Sequence, residues 1–293
     1  MLGINITDVR VHPGDSGFLI DNGETAILYD SGFAFTGKGL VNKIKKQIGD
    51  RKLDFIFLTH SHYDHVLGSL NAMSEWPGVK VVAGEYAAKI FSKASAKAVM
   101  RKLDTTFAKT CNAEPYENLI DDLRVDIPVK NGDIINTGNM SFRVVDLPGH
   151  TKCSVGFYLE ESKLLLGTET LGVYSDNGLI VPSFLVGYDM AIKSIETVEK
   201  MDIDYILAPH YGLLNKGQTK SFLKNAKKVA KNVAVDFSER IKNGASDEEL
   251  LEYFKSMYYH GDICDVYPVD AMELNTGYMI KLIRHECVKE KSG

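Results

Sequence analysis

Apolar positions along this chain follow two rhythms in turn, and their succession predicts an α/β (α+β) architecture. Val9 to Val11, Phe18 to Ile20 and Ala26 to Tyr29 are short apolar runs of strand type. Asp21-Asn22-Gly23 separates the last two as a turn whose Asn-Gly pair tolerates positive φ. Lys38 to Ile48 then places Leu40, Val41, Ile44 and Ile48 on one face, the spacing of an amphipathic helix packed on a sheet. Phe55-Ile56-Phe57-Leu58 is short and rich in aromatic and β-branched residues, so it reads as a buried strand. Val66 to Met73 predicts a helix, and Val79 to Ala83 another strand.

Residues 84–121 change character. They are rich in Ala and Lys, carry Phe91, Met100, Leu103 and Phe107 at helical spacing and contain no strand-like run. One or two inserted helices follow, either a structural pair or a lid over a site. Strands return from Asp126, with Asn131-Gly132 as a turn and runs at Met140 to Asp146, Ser154 to Leu159 and Lys163 to Leu166. A helix over Met190 to Lys200 precedes a strand at Tyr205 to Ala208. The repeated strand-then-helix order suggests two similar halves forming a pair of sheets with helices outside. Beyond that the pattern is helical: Ser221 to Asn243 repeats Phe222, Ala226, Val229, Val233 and Phe237 on one face and closes at Gly244. Ser246, with Glu248 and Glu249 after it, opens a further helix. Residues 269–285 read as a final helix or a helix with a strand.

Composition narrows the function classes. The 293 residues are 44% hydrophobic and 25% charged, as in an ordinary soluble globular protein. A net charge of −5 gives no electrostatic reason to expect nucleic acid as a partner. No apolar run approaches the ~18 residues that span a bilayer, so no membrane partner is expected. The first residues show neither the basic nor the long apolar region of a signal peptide. Cys111, Cys153, Cys264 and Cys287 are scattered without a Cys-x-x-Cys pair, which suits a reducing cytoplasm.

The chemistry concentrates in Thr59-His60-Ser61-His62-Tyr63-Asp64-His65, directly after the Phe55 strand. Ligand-type side chains at a strand's C-terminal end sit where α/β folds place their chemistry. His60 and His62 project from the same side of an extended backbone, while Asp64 and His65 fall in the turn beyond and can point to a second locus. One loop thus suffices for two metal ions. Crowded imidazoles without a metal would repel on protonation and leave lone pairs unsatisfied.

Downstream come Leu147-Pro148-Gly149-His150-Thr151, an acidic residue in Gly167-Thr168-Glu169-Thr170, and a late Pro209-His210-Tyr211-Gly212. In this order the segments resemble the metallo-β-lactamase-fold hydrolase superfamily over residues 4–215. The resemblance implies a four-layer αββα sandwich over residues 1–215, with the 84–121 helical insertion, and a helical C-terminal extension, 216–293, packed on it. It implies His60, His62 and His150 on one metal, Asp64, His65 and His210 on a second, and Glu169 as the bridge. Glu169 departs from the family's usual aspartate, which affects the second site. Cys153 departs too, standing where glycine is common, either as a small buried residue or beside the metals. His12 lies outside the motifs, with a pocket-lining role as one reading.

The cofactors so implied are two divalent transition metals, zinc first, with iron or manganese also suited to nitrogen and oxygen donors. The expected function is a metal-dependent hydrolase that uses a metal-bridging hydroxide on an ester, thioester, lactone or phosphoester small-molecule substrate. Asp64 would orient the water and take its proton; Tyr63 and Tyr211 are packing aromatics or substrate contacts. Two alternatives stand beside it. One is a flavodiiron-like redox protein, against which His62 and the lack of a flavin loop weigh. The other is a non-catalytic metal-binding or sensor member of the same fold, supported by Glu169.

Overall fold

The computed structural model describes residues 3–288. The chain divides into two compact units. One comprises the chain up to Asp146 together with Val155–Leu166; the other comprises Leu147–Ser154 together with the chain from Gly167 onward.

Among its described residues the first unit contains ten strands: β1 (Asn5–Asp8), β2 (Phe18–Asp21), β3 (Ala26–Tyr29), β4 (Phe55–Leu58), β5 (Lys80–Gly84), β6 (Ile127–Val129), β7 (Ile134–Asn136), β8 (Ser141–Asp146), β9 (Val155–Leu159) and β10 (Leu164–Leu166). Strands β1 to β6 form one sheet in sequence order, antiparallel from β1 to β3 and parallel from β3 to β6. Strands β7 to β10 form an antiparallel run with β8 and β9 at its centre. The two layers meet through aromatics. Phe57 of β4 sets its ring 5.2 Å from Phe142 and 4.6 Å from Phe157, all three fully buried. Each such ring contributes roughly 1.5–3 kcal/mol by leaving water.

Helix α1 (Gly37–Ile48) buries Leu40, Val41, Ile44 and Ile48, the face its spacing predicts. The insertion holds α4 (Glu85–Phe91) and α5 (Ala94–Thr110), after the short α2 (Tyr63–Val66) and α3 (Ser69–Glu75). Asp104 anchors α5: its buried carboxylate accepts from Ala34 N at 2.9 Å and from the Tyr116 hydroxyl. Burial raises the Asp104 carboxyl to about 6 and the Tyr116 phenol to about 12.

The second unit holds β11 (Val173–Tyr174) paired with β12 (Ile180–Val181), then α6 (Tyr188–Glu199). The hairpin of β13 (Tyr205–Ala208) and β14 (Gly212–Leu214) follows. After it come α7 (Lys216–Lys242), α8 (Asp247–Tyr258), α9 (Ile263–Val266) and α10 (Val269–Leu282), which together make the helical C-terminal extension. Helix α7 buries Phe222, Ala226, Ala230, Val233 and Phe237 along one stripe. Among the described residues no helix is long and apolar enough to cross a membrane.

Four sequence expectations shift. The first strand is Asn5–Asp8 rather than Val9 to Val11, because Val11 N and His12 N donate to the Asp15 carboxylate instead of to a ladder. The helix over Val66 to Met73 is two, α2 and α3, separated at Leu67-Gly68. A Cβ on Gly68 would lie 1.9 Å from the Ser31 carbonyl oxygen, so the backbones touch there and the helix breaks. Helix α7 starts at Lys216, well before Ser221, because Asn215 and Gln218 form a capping box that periodicity does not register. Residues 269–285 hold no strand: α10 runs on into a π-helical turn, Ile283–Val288.

Candidate functional site

The metal-type side chains of the first unit lie at the end of β4. His60 is fully buried, and its ring centroid lies 4.6 Å from that of His62 and 4.1 Å from that of His65. Asp64 and His65 occupy α2 rather than an open turn, with Asp64 Oδ2 3.6 Å from His65 Nε2.

One buried carboxylate organises this group. Asp30 follows β3, the parallel neighbour of β4, and adopts a left-handed backbone at φ 51. Its oxygens accept from Thr59 N at 2.9 Å, Thr59 Oγ1 at 2.9 Å, Ser16 Oγ at 3.2 Å and His65 Nδ1 at 2.8 Å. The Thr59 hydroxyl, having given its proton to Asp30, accepts from His60 Nδ1 at 3.0 Å. Ser31 completes the grip by donating from N and Oγ to the His65 carbonyl, at 2.7 and 2.9 Å. Both imidazoles therefore carry their proton on Nδ1 and present the Nε2 lone pair, as metal-bound histidines do when a neighbouring acceptor fixes the tautomer.

The second unit repeats the device with neutral partners. His150, 4% exposed, stands at the end of the turn from Leu147, and its Nδ1 lies 2.9 Å from Ser183 Oγ and 3.1 Å from the Ser183 carbonyl. The carbonyl can only accept, so Nδ1 is again the protonated nitrogen. The backbone N of His150 donates to Thr170 Oγ1 at 3.1 Å, and that hydroxyl donates to the Leu147 carbonyl at 2.7 Å. Glu169, 3% exposed, opens the 3-10 turn Glu169–Leu171. Its Oε1 stands 3.2 Å from Nε2 of His210. The extra methylene relative to aspartate thus still carries the carboxylate to its histidine. His210 sits between β13 and β14 at φ 61, a left-handed conformation a non-glycine residue adopts only when its surroundings impose it.

The other candidates occupy plainer roles. Cys153 is buried, with Sγ 3.2 Å from Thr151 Oγ1. His12 stands edge-on to Phe33, Phe35 and Phe107, accepts from Gly14 N at its Nδ1, and lies 3.5 Å from Cys111 Sγ. Burial pushes the Cys111 thiol up. Tyr63 packs on Phe33. Tyr211 packs edge-on to Tyr174 and accepts from Gln218 Nε2 at 3.2 Å, and burial raises its phenol.

The described residues thus include histidine, aspartate and glutamate groups fit to hold a metal ion. Sequence reasoning missed Asp30, Thr59, Ser16 and Ser183 as their supports. The Asp30-Ser31-Gly32 stretch at the end of a predicted strand was the available signal, since a carboxylate at a strand end beside the histidine strand is placed to reach it.

Comparison with known proteins agrees. The sequence model of the metallo-beta-lactamase superfamily matches residues 11–210. A hydroxyacylglutathione hydrolase of Francisella tularensis is 27% identical over 183 residues, 61% of this chain and 58% of that protein. The chain therefore matches less than two thirds of that relative's length. Among solved structures, a metallo-beta-lactamase family protein from Thermus thermophilus overlays with a TM-score of 0.66 at 17% identity, covering 97% of this chain and 94% of that one. A metallo-beta-lactamase superfamily protein from the archaeon Sulfolobus tokodaii gives a TM-score of 0.55 at 20% identity, over 73% and 81% of the two chains. These two likenesses bear on the fold, which is the αββα sandwich with a helical C-terminal extension. With the family model spanning most of the chain and the histidine-rich strand end inside it, this protein belongs to the metallo-beta-lactamase superfamily.

Proposed function

We propose that the protein is a dinuclear metallo-hydrolase. His60, His62 and His150 would hold one divalent metal, Asp64, His65 and His210 the other, with Glu169 between them. The observation that carries this reading is that Nδ1 of His60, His65 and His150 each lies within 3.1 Å of a protein oxygen, a contact that favours the Nδ1 tautomer and leaves Nε2 for a ligand. Nitrogen and oxygen donors without thiolate suit zinc, and also iron or manganese. The catalytic domain we assign is 1–215, with 216–293 as its extension. We place the protein in the cytoplasm, in keeping with the scattered cysteines of its sequence.

When bound, such metals bring the pKa of water down towards neutrality and offset the charge that builds on a carbonyl or phosphoryl oxygen. The chain supplies the rest. Asp64 stands within the histidine cluster and is partly exposed; its carboxylate would orient the attacking water and take its proton. The Asp30 and Ser183 partners keep the imidazoles from turning as charge develops. An acylated glutathione is a thioester, so with the hydroxyacylglutathione hydrolase likeness as support we put a thioester first among the ester, thioester, lactone and phosphoester substrates.

Elemental analysis of protein purified without added metal, paired with a panel of those four substrate classes, tests the proposal. Up to two transition metals per chain and turnover of at least one class are expected. His62→Ala should lose activity, and Asp64→Asn should lower kcat by about 10²–10⁴. Protein that holds no cation after soaking with zinc, manganese and iron would end the proposal.

A further inference from the structure

The turn that carries His150 is tied to α6 and to the strap that precedes it. Leu185 N and Val186 N both donate to the Gly149 carbonyl, at 2.9 and 3.0 Å, and Ser183 in the same strap holds His150 Nδ1. Inside α6, Ser194 Oγ donates to the Pro148 carbonyl at 2.7 Å. Gly149, at φ +143, lies so close to the helix that a Cβ would fall 2.6 Å from Ala191 Cα. Where α6 begins therefore decides where Ser183 to Val186 lie, and so how His150 is held.

That beginning lacks a local cap. The residue before the helix, Gly187, has no side chain to accept from the first turn, yet the first N–H groups of a helix need partners. Two of them find one far along the chain. Tyr188 N and Asp189 N reach Oε2 of Glu286, at 2.9 and 3.4 Å, across 98 and 97 residues. Glu286 sits in the π-helical turn Ile283–Val288, where six residues leave the α-helical register at the end of α10. Such turns shift side chains from the direction an α-helix would give them and occur often at functional positions. A carboxylate at this end of α6 also meets the positive pole of the helix.

We propose that Glu286 is a positioning residue for the metal centre. By capping α6 from the end of the C-terminal extension, it fixes the Ser183–Val186 strap and hence the direction in which His150 presents Nε2. The inference rests on the reading of His150 as a metal ligand. It goes beyond that reading by giving the extension a part in metal binding.

The test compares full-length wild type, Glu286→Ala and Glu286→Gln, with Asn215→Ala as a control that loses the α7 cap and leaves α6 intact. Zinc affinity is read by competition with a chromogenic chelator well below each variant's Tm, and the His150 imidazole is followed by ¹⁵N NMR in metal-free protein. Loss of a group that orients a ligand typically weakens metal binding about 10–100-fold. One step further out, Glu286→Ala should weaken it about 3- to 10-fold and mix the two His150 tautomers. Glu286→Gln keeps an acceptor oxygen and should recover most of the loss, while Asn215→Ala should lower Tm without changing affinity. If Glu286→Ala lowers Tm yet keeps wild-type affinity and a single tautomer, Glu286 is an ordinary helix cap and the proposal is overturned. Should Glu286→Ala fail to fold, Glu286→Gln and Glu286→Asp decide by the same two readouts. Wild type that binds no zinc would overturn the ligand assignment instead, and the metal-free spectra would still judge the positioning.

Discussion

His65 and His150 are held by opposite chemistries. The Nδ1 of His65 donates to the fully buried Asp30 carboxylate, whereas that of His150 meets only the hydroxyl and carbonyl of Ser183. A carboxylate partner raises the basicity of the imidazole and makes a bond roughly twice as strong as a neutral one. It also imposes a cost, because a buried charge must keep every one of its donors. The charged seat is therefore stiff and expensive to disturb; the neutral one is cheaper and depends on what holds Ser183.

The largest effect is expected from breaking the charged seat. Asp30→Ala removes the acceptor for Thr59, Ser16 and His65 together. It should cost about 3–5 kcal/mol of stability in urea unfolding of the metal-free protein. A loss near 1 kcal/mol would mean water replaces the carboxylate and the seat is softer than its burial implies.

Another buried carboxylate sharpens the contrast, since Asp104 has no imidazole to balance it. Its carboxyl is raised from 3.8 to about 6 by burial, and Asp15, itself raised by burial, adds repulsion. The stability this group lends is complete below pH 3.8 and is lost as pH rises through about 6. At about 1.4 kcal/mol for each tenfold change in proton affinity, roughly 3 kcal/mol should disappear between pH 4 and pH 7. Asp104→Asn should flatten that slope in urea midpoints measured across the window. An unchanged slope would assign the pH dependence to Asp15 or to other groups.

The smallest of the three effects concerns the neutral seat. Ser183→Ala leaves the backbone carbonyl as acceptor and should weaken zinc binding about tenfold with little change in Tm. Loss as large as that of Asp30→Ala would erase the distinction between the seats.

The candidate metal-type residues stood out in the sequence because they are dense: four of the seven fall between His60 and His65, where ordinary packing gives no reason for them. Strands were legible where apolar runs reach three or four residues, as in β2, β3, β4 and β13. Two-residue strands such as Val173–Tyr174 and Ile180–Val181 carry too few positions to show a period. Asp30 and Ser183 were out of reach for another reason. Each acts on a histidine more than thirty residues away, and such pairings are decided by strand order and by α6, not by neighbours in sequence. The polar start of α7 hid for a third: Asn215 and Gln218 stabilise a first turn that buries little.

The close approach of Gly149 to Ala191 has a thermodynamic corollary. A loop that gives one carbonyl and its Cβ space to a helix, and another carbonyl to the strap before it, has surrendered its freedom during folding. Were His150 to bind a cation, little would be left to freeze, since the ordering cost of about 0.5–1.5 kcal/mol per immobilised side chain is met before the encounter.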